Sequence, residues 1–176
     1  MRTVPSQETA ATSPDRTQGR RPADSVAEVT EIVLPHHANV HGTVLGGTVM
    51  HWIDMAAAIT ANRHSRKPVV TAAIDEMSFL SPILVGELAC LRARITFVDR
   101  SSMEIRVDVQ SEDALTGERR KTGTAFVTFV ALDPATHRPS SVPALVLETE
   151  DDRAEHTRAL ERRRLRLERR KARRET

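Results

Sequence analysis

The chain lacks much of what would assign it to several common kinds of protein. It has one cysteine, Cys90, in 176 residues, so no intrachain disulfide can form; an inert buried thiol in a reducing compartment is the expectation. No stretch reaches the roughly 18 apolar residues of a membrane helix. The N-terminal "MRTVPSQETAATSPDRTQGRRPADS" has no apolar core of a secretion signal, and Arg20-Arg21 is followed by "PADSVAEV". A cytoplasmic, soluble protein is expected. An excess of one charge is missing too: Lys+Arg 26 against Asp+Glu 24 gives +2. The body is therefore no nucleic-acid surface by charge alone, and the basic excess gathers at the C-terminus. His36, His37, His41, His51 and His64 fall outside the H-E-x-x-H and paired-cysteine spacings, so no metal site is expected; no separate cofactor is expected either. A G-x-S-x-G elbow is absent and nothing near Cys90 would activate it, which argues against a covalent Ser or Cys mechanism.

What is present reads as one domain with two extensions. Residues 1–24 are rich in Ser, Thr, Pro, Gln and Arg and hold almost no large apolar side chains, so disorder is expected. In the domain, residues 25–147, "AEVTEIVLP" reads as a strand. From about Gly46 to Asn62 a helix follows whose apolar residues lie nearly all round, the pattern of a wrapped helix. Strands with period-two alternation come next. "SSMEIRVDVQ" puts Met103, Ile105, Val107 and Val109 on one face; "LRARITF" puts Leu91, Ala93, Ile95 and Phe97 inward. "VVTAAIDEMSF" and "TGTAFVTFVALD" complete the set, with "SEDALTG" as a hairpin connection. A curled antiparallel sheet around one helix, class α+β, buries these faces. Its outer edge would stay unpaired in a monomer, so at least a homodimer is expected.

The chemistry concentrates in "HHANVHGTVLGGTVMHWIDMAAA". Gly46 and Gly47 at the helix entry let another group approach N–H donors that have no intrahelical acceptor, as an oxyanion or carbonyl-polarising site requires. A plain, tightly packed turn is the bland alternative. Asp54 puts a carboxylate in an apolar helix. It is either a core aspartate bonded to Thr43, His51 or a backbone N–H, or a base whose pKa burial raises. Asn39 is either an Asx turn before Gly42 or an amide that orients water or a carbonyl. Asp54 lies seven residues past Gly47, roughly 10 Å along the axis. If both serve one small reacting group, they come from different copies across a two-fold axis.

In order and spacing, "NVHGTVLGGTVMHWIDMAAA", "VVTAAIDEMSFLSPILVGE", "DRSSMEIRVDV" and "AFVTFVALD" resemble the acyl-CoA thioesterases of the hotdog fold over about residues 29–146. The resemblance implies hydrolysis of an acyl-CoA to CoA and a carboxylic acid, without a metal, in a trimer of dimers. It implies Asn39 and Asp54 as the catalytic pair and Gly46-Gly47 as the carbonyl-polarising segment. Arg100, Ser101 and Ser102 would contact the CoA phosphates or pantetheine, a role that suits a guanidinium. Two positions depart from the family pattern: Asp99 stands where glycine is common, and Leu45 where an aromatic or histidine is. A hotdog hydratase or dehydratase and a non-catalytic acyl-CoA-binding regulator are the competing readings. Residues 148–176 are an Arg-rich tail that reads as a marginal helix and a solvated extension. Its own oligomer, an acidic partner, nucleic acid or anionic lipid are the alternative docking surfaces.

Overall fold

The computed structural model describes residues 18–172, without the side chains of Glu76 and Arg170. Five antiparallel strands are β1 (Ala27–Ile32), β2 (Val69–Phe79), β3 (Leu88–Val98), β4 (Ser102–Glu112) and β5 (Arg119–Ala131), in sheet order β1-β3-β4-β5-β2. The 20-residue helix α1 (Gly46–Ser65) fills the curl, and α2 (Glu150–Ala172) lies against the opposite face.

Alternation builds the inner face as expected. Leu91, Ala93 and Ile95 of β3, Met103 to Val109 of β4 at every second residue, and Ala125, Val127, Phe129 and Ala131 of β5 are all buried with α1. The alanines leave room for the helix to approach, and Val49, Trp52, Ile53, Ala56, Ala57 and Ala61 face them. This i, i+3, i+4 spacing is one face only. Although α1 is apolar nearly all round, the sheet covers half of it, and Met50 and Met55 on the other side are exposed.

Phe97 departs from the inward reading. A register shift between Ile95 and Phe97 marks a bulge, opposite Ile105 and Glu104, and an extra residue breaks the alternation. Phe97 therefore packs on the α2 side, its ring centroid 5.4 Å from that of His156.

The C-terminal segment differs from the solvated extension expected of it. Thr149 and Asp152 form a reciprocal cap: Asp152 N–H donates to Thr149 Oγ1 at 3.1 Å and Thr149 N–H to Asp152 Oδ2 at 3.2 Å. Buried Glu155 then meets Arg106 at 3.0 Å, Arg158 at 2.9 Å and Arg162 at 2.9 Å. Arg162 also pairs with buried Glu104 of β4 at 2.8 Å, and its guanidinium lies 3.7 Å from the Phe126 ring centroid. Arg94 adds Asp151 at 2.7 Å, and Arg166 pairs with Asp75 of β2. The arginines that look like solvent-facing charge neutralise carboxylates the sheet has buried.

At the other end, the expected disorder of residues 1–24 falls mostly on residues 1–17, outside the described residues. Residues 20–24 are held in place, contrary to that expectation. Arg20 N–H donates to Ala144 O at 2.9 Å, its Nη1 to Arg63 O at 2.7 Å and His64 O at 2.9 Å, and a short 3-10 turn runs over Pro22–Ser25. Among the described residues no helix is long and apolar enough to cross a membrane.

Candidate active site

Helix α1 starts without a side-chain cap. Leu45 is extended, its N–H donates to His37 O at 2.9 Å, and the first bond back onto it comes from Thr48 N–H at 3.0 Å. The Gly46 and Gly47 amides precede that bond, and both residues are exposed. Neither glycine has positive φ. A Cβ at Gly47 would meet nothing within 4 Å, and one at Gly46 only the Phe79 ring at 3.6 Å. The tightly packed turn is therefore not what is found; the glycines leave the helix end bare.

Asp54 is half-buried, not enclosed, and none of the partners expected for it is the one observed. Thr71 of β2 donates its hydroxyl to Asp54 Oδ1 at 2.6 Å. Thr71 is the residue that sequence reasoning missed, because the contact joins segments 17 residues apart and no local pattern marks one strand threonine among several. Seven residues are almost two helical turns, so Gly47, Met50 and Asp54 lie along one stripe, on the face the sheet leaves open.

Asn39 occupies the turn between β1 and α1. Its Oδ1 accepts from His41 N–H at 2.9 Å and Thr43 N–H at 3.4 Å, and its Nδ2 donates to Thr43 Oγ1 at 2.9 Å. The Asx turn is thus real. An amide nitrogen carries two hydrogens, so that turn does not use up the side chain. Within one chain, no hydrogen bond among the described residues joins Asn39 to Asp54.

The ladder register separates the site's parts. Ser102 pairs with Val130 and Val130 with Val70, beside the Thr71 that holds Asp54. Phe79, against Gly46, pairs with Gly123 at the other end of β2. Asp54 and the Arg100-Ser101-Ser102 turn therefore share one end of the edge strand, and the glycines take the other. Arg100 is exposed; its carbonyl accepts from Val142 N–H at 3.1 Å, and that of Ser101 from Ala131 N–H at 2.9 Å. Asp99 is paired with Arg163 of α2.

Beside Gly46, a largely apolar cavity of about 350 Å³ is lined by Val44, Val49, Phe79, Leu80, Pro82 and Ile83, among others. Elsewhere the titratable groups look structural. Among the described residues no three His, Cys, Asp or Glu side chains cluster to hold a metal. His64 is buried; its Nε2 faces Pro143 O at 3.1 Å and its Nδ1 Ser25 Oγ at 3.3 Å. Burial holds His64 below the usual histidine range, and burial likewise pushes the Cys90 thiol up, away from a nucleophilic thiolate.

One long helix in the curl of a five-stranded antiparallel sheet is the hotdog fold. Residues 41–118 match the Thioesterase superfamily. An uncharacterized acyl-CoA thioester hydrolase of Bacillus subtilis is 44% identical over 133 residues, covering 76% of this chain and 77% of that protein. A crystal structure of an apo-hexameric acyl-CoA thioesterase superposes with TM-score 0.82 at 38% identity, over 86% of this chain and 97% of that one. An acyl-CoA hydrolase from Staphylococcus aureus, solved with butyryl coenzyme A and coenzyme A, gives 0.79 at 34% identity, over 89% and 93%. Structures of that enzyme include alanine variants of an asparagine, an aspartate and a threonine, which follow one another at steps of 15 and 17 residues. This chain belongs to the Thioesterase superfamily, among its hotdog-fold acyl-CoA hydrolases.

Proposed function

We propose that this protein hydrolyses fatty acyl-CoA thioesters to free CoA and a carboxylic acid, at a site completed by two copies of the chain. The observation that carries this is the layout of β2. Among the described residues no strand pairs with its outer edge, and it has Asp54 at one end and the bare helix start at the other. Antiparallel pairing of β2 with its own copy would bring one chain's Asp54 end to the other's Gly46-Gly47 end. Exposed Val70, Ile74 and Phe79 of β2 and Met50 and Met55 of α1 form the apolar surface such pairing would bury. The hexameric state of the apo thioesterase supports assembly beyond a single pair.

Asp54 acts as general base. It takes a proton from a water whose oxygen attacks the thioester carbonyl, and as the C–S bond breaks the leaving thiolate takes that proton from Asp54 and departs as the CoA thiol. Thr71 fixes the carboxylate, leaving Oδ2 for the water. The partner chain's helix start supplies N–H donors for the developing oxyanion. Asn39 orients water or carbonyl with its second amide hydrogen. The same 15- and 17-residue steps seen in the Staphylococcus aureus variants separate Asn39, Asp54 and Thr71, which supports grouping these three.

The acyl chain takes the apolar cavity beside Gly46, whose volume falls in the usual range for ligand pockets. Arg100, Ser101 and Ser102 hold the phosphate-bearing end of CoA. This route uses water, side chains and backbone N–H groups and assigns no cofactor; the lone Cys90 suits a reducing, cytoplasmic setting. Thiol release from an acyl-CoA panel tests the proposal. Asp54→Asn should abolish hydrolysis while the fold is kept, and undiminished release would refute it. Altered acyl groups without thiol release would indicate a hydratase, and binding without turnover a regulator.

A further inference from the structure

We propose that helix α2 is part of the substrate site: the cavity between it and the β3–β4 turn takes the phosphates of the CoA moiety, and Arg163 makes this workable by cancelling the charge of Asp99. The inference rests on the reading that Arg100, Ser101 and Ser102 meet the CoA end of the substrate.

The starting point is an apparent misfit. Asp99 sits directly before Arg100, where a carboxylate would repel phosphate by the same interaction that makes Arg100 attractive. Its Oδ1 accepts the Arg100 N–H at 2.8 Å, so the acid is built into the turn itself. Its Oδ2 is paired with Arg163, which reaches it from 64 residues further along the chain. The Arg163 guanidinium also lies over Phe97, 5.4 Å from the ring centroid. That ring faces α2 only because of the β3 bulge.

The second observation is the space that these residues enclose. A cavity of about 500 Å³ is lined by Asp99 and Ser102 of the turn region, Arg163, Arg166 and Leu167 of α2, Thr128 and Val130 of β5, and Ala72 and Ala73 of β2. Its charged lining is two arginines against one aspartate, and Arg100 adjoins it. Each guanidinium has five N–H donors in a planar fork, so the pairing of Arg163 with Asp99, and of Arg166 with Asp75 and, at 3.6 Å, with Glu104, leaves donors for phosphate oxygens. Ala72 and Ala73 directly follow Thr71, which grips Asp54 from the opposite side of the sheet edge. A substrate arm passing around the Val69 end of β2 would join the two faces, with thioester on one side and phosphates on the other.

The interaction is electrostatic at a partly exposed site, so it should appear in substrate binding, depend on salt, and vanish for a substrate without phosphates. The test compares an acyl-CoA with the same acyl group on pantetheine, for wild-type protein, Arg163→Gln, Asp99→Asn and the double variant. The expected result for Arg163→Gln is a KM for acyl-CoA raised about tenfold at low salt, with kcat and the acyl-pantetheine KM unchanged. Adding Asp99→Asn should restore most of the loss, and Arg163→Lys should keep most of the affinity. Equal KM changes for both substrates, or none, would overturn the inference and assign Arg163 a packing role. A wild-type enzyme that does not distinguish the two substrates, together with a silent Arg100→Gln, would instead refute the underlying placement of the CoA end. Thermal melts of each variant check that α2 remains docked.

Discussion

Thr71 Oγ1 and Asp54 Oδ1 stand 2.6 Å apart, a charge-assisted bond that ties the free edge strand to the open stripe of α1. It fixes which oxygen of the carboxylate faces outward. Hydrogen bonds to charged groups contribute about 1.5–3 kcal/mol. Thr71→Val should therefore lower the melting temperature by a few degrees and, by freeing the carboxylate, lower kcat at least about tenfold, and Thr71→Ser should keep most activity. Steady-state kinetics with one acyl-CoA decides it; an unimpaired valine variant would remove Thr71 from the machinery.

Gly47→Ala separates stability from function. With nothing within 4 Å of a Cβ there, alanine in a helix should stabilise the chain by about 0.5–1 kcal/mol. The same methyl would obstruct a group approaching the bare amides, and a lost oxyanion donor costs about 10²–10³ in kcat. Denaturant melts beside kinetics should show a more stable and much slower enzyme.

Complementation tests the shared site. Asp54→Asn and Gly47→Ala chains, each nearly inactive alone, should recover activity when unfolded and refolded together. Random pairing makes half the dimers mixed, with one intact site of two, so about a quarter of wild-type activity is expected. No recovery, in preparations shown to contain mixed dimers, would place Asp54 and Gly47 in the same chain's site.

Arg162 stands between two buried carboxylates, Glu104 and Glu155, at 2.8 and 2.9 Å. Removing one partner of a buried ionic group typically costs about 3–5 kcal/mol because the remaining charge stays desolvated. Arg162→Met should lose stability of that order in chemical denaturation and expose α2 to proteolysis. Arg164→Met, outside this cluster and paired among the described residues with exposed Glu161 and Glu168, should leave the denaturation midpoint essentially unchanged.

Acid should weaken the fold in two stages. Burial keeps His64 below its ordinary value, so as pH drops below about 6.5 the unfolded chain takes up a proton first and stability falls until the folded histidine titrates. For Glu155, burial opposes ionisation, but the bonds from Arg158 and Arg162 and the charge of Arg106 outweigh it and hold the carboxyl low. Its contribution is full above about pH 4.3 and is lost as pH falls through the lower folded value. Melting temperatures from pH 7.5 to 3 should show both steps, and His64→Gln should flatten only the first.

Much of the architecture was legible because alternation is local. Met103 to Val109 declared their face, and "SEDALTG" its turn, where Asp113 indeed caps Leu115 and Thr116 N–H groups at 2.8 and 2.9 Å. Phe97 was misassigned because a bulge leaves no mark in an apolar-polar pattern. An all-apolar helix reads as wrapped on every side, whereas the sheet of its own chain covers only one face and leaves Met50 and Met55 exposed. Asp54 stood out for its type, whereas Thr71 came from a pairing that only tertiary structure makes. The tail misled because arginines were taken as solvated, their carboxylate partners being dozens of residues away. A signal was available: "TEDD" at 149–152 is a helix cap, and Glu155, Ala159, Arg162 and Arg166 fall on one helical face.

The unpaired edge of β2 also bears on how much enzyme a cell has at work. If each site needs a second copy, output per chain rises with abundance, because dilution below the dimer's dissociation constant halts turnover before any chain unfolds. Turnover would then respond more than proportionally to expression at low levels and become proportional only once pairing saturates.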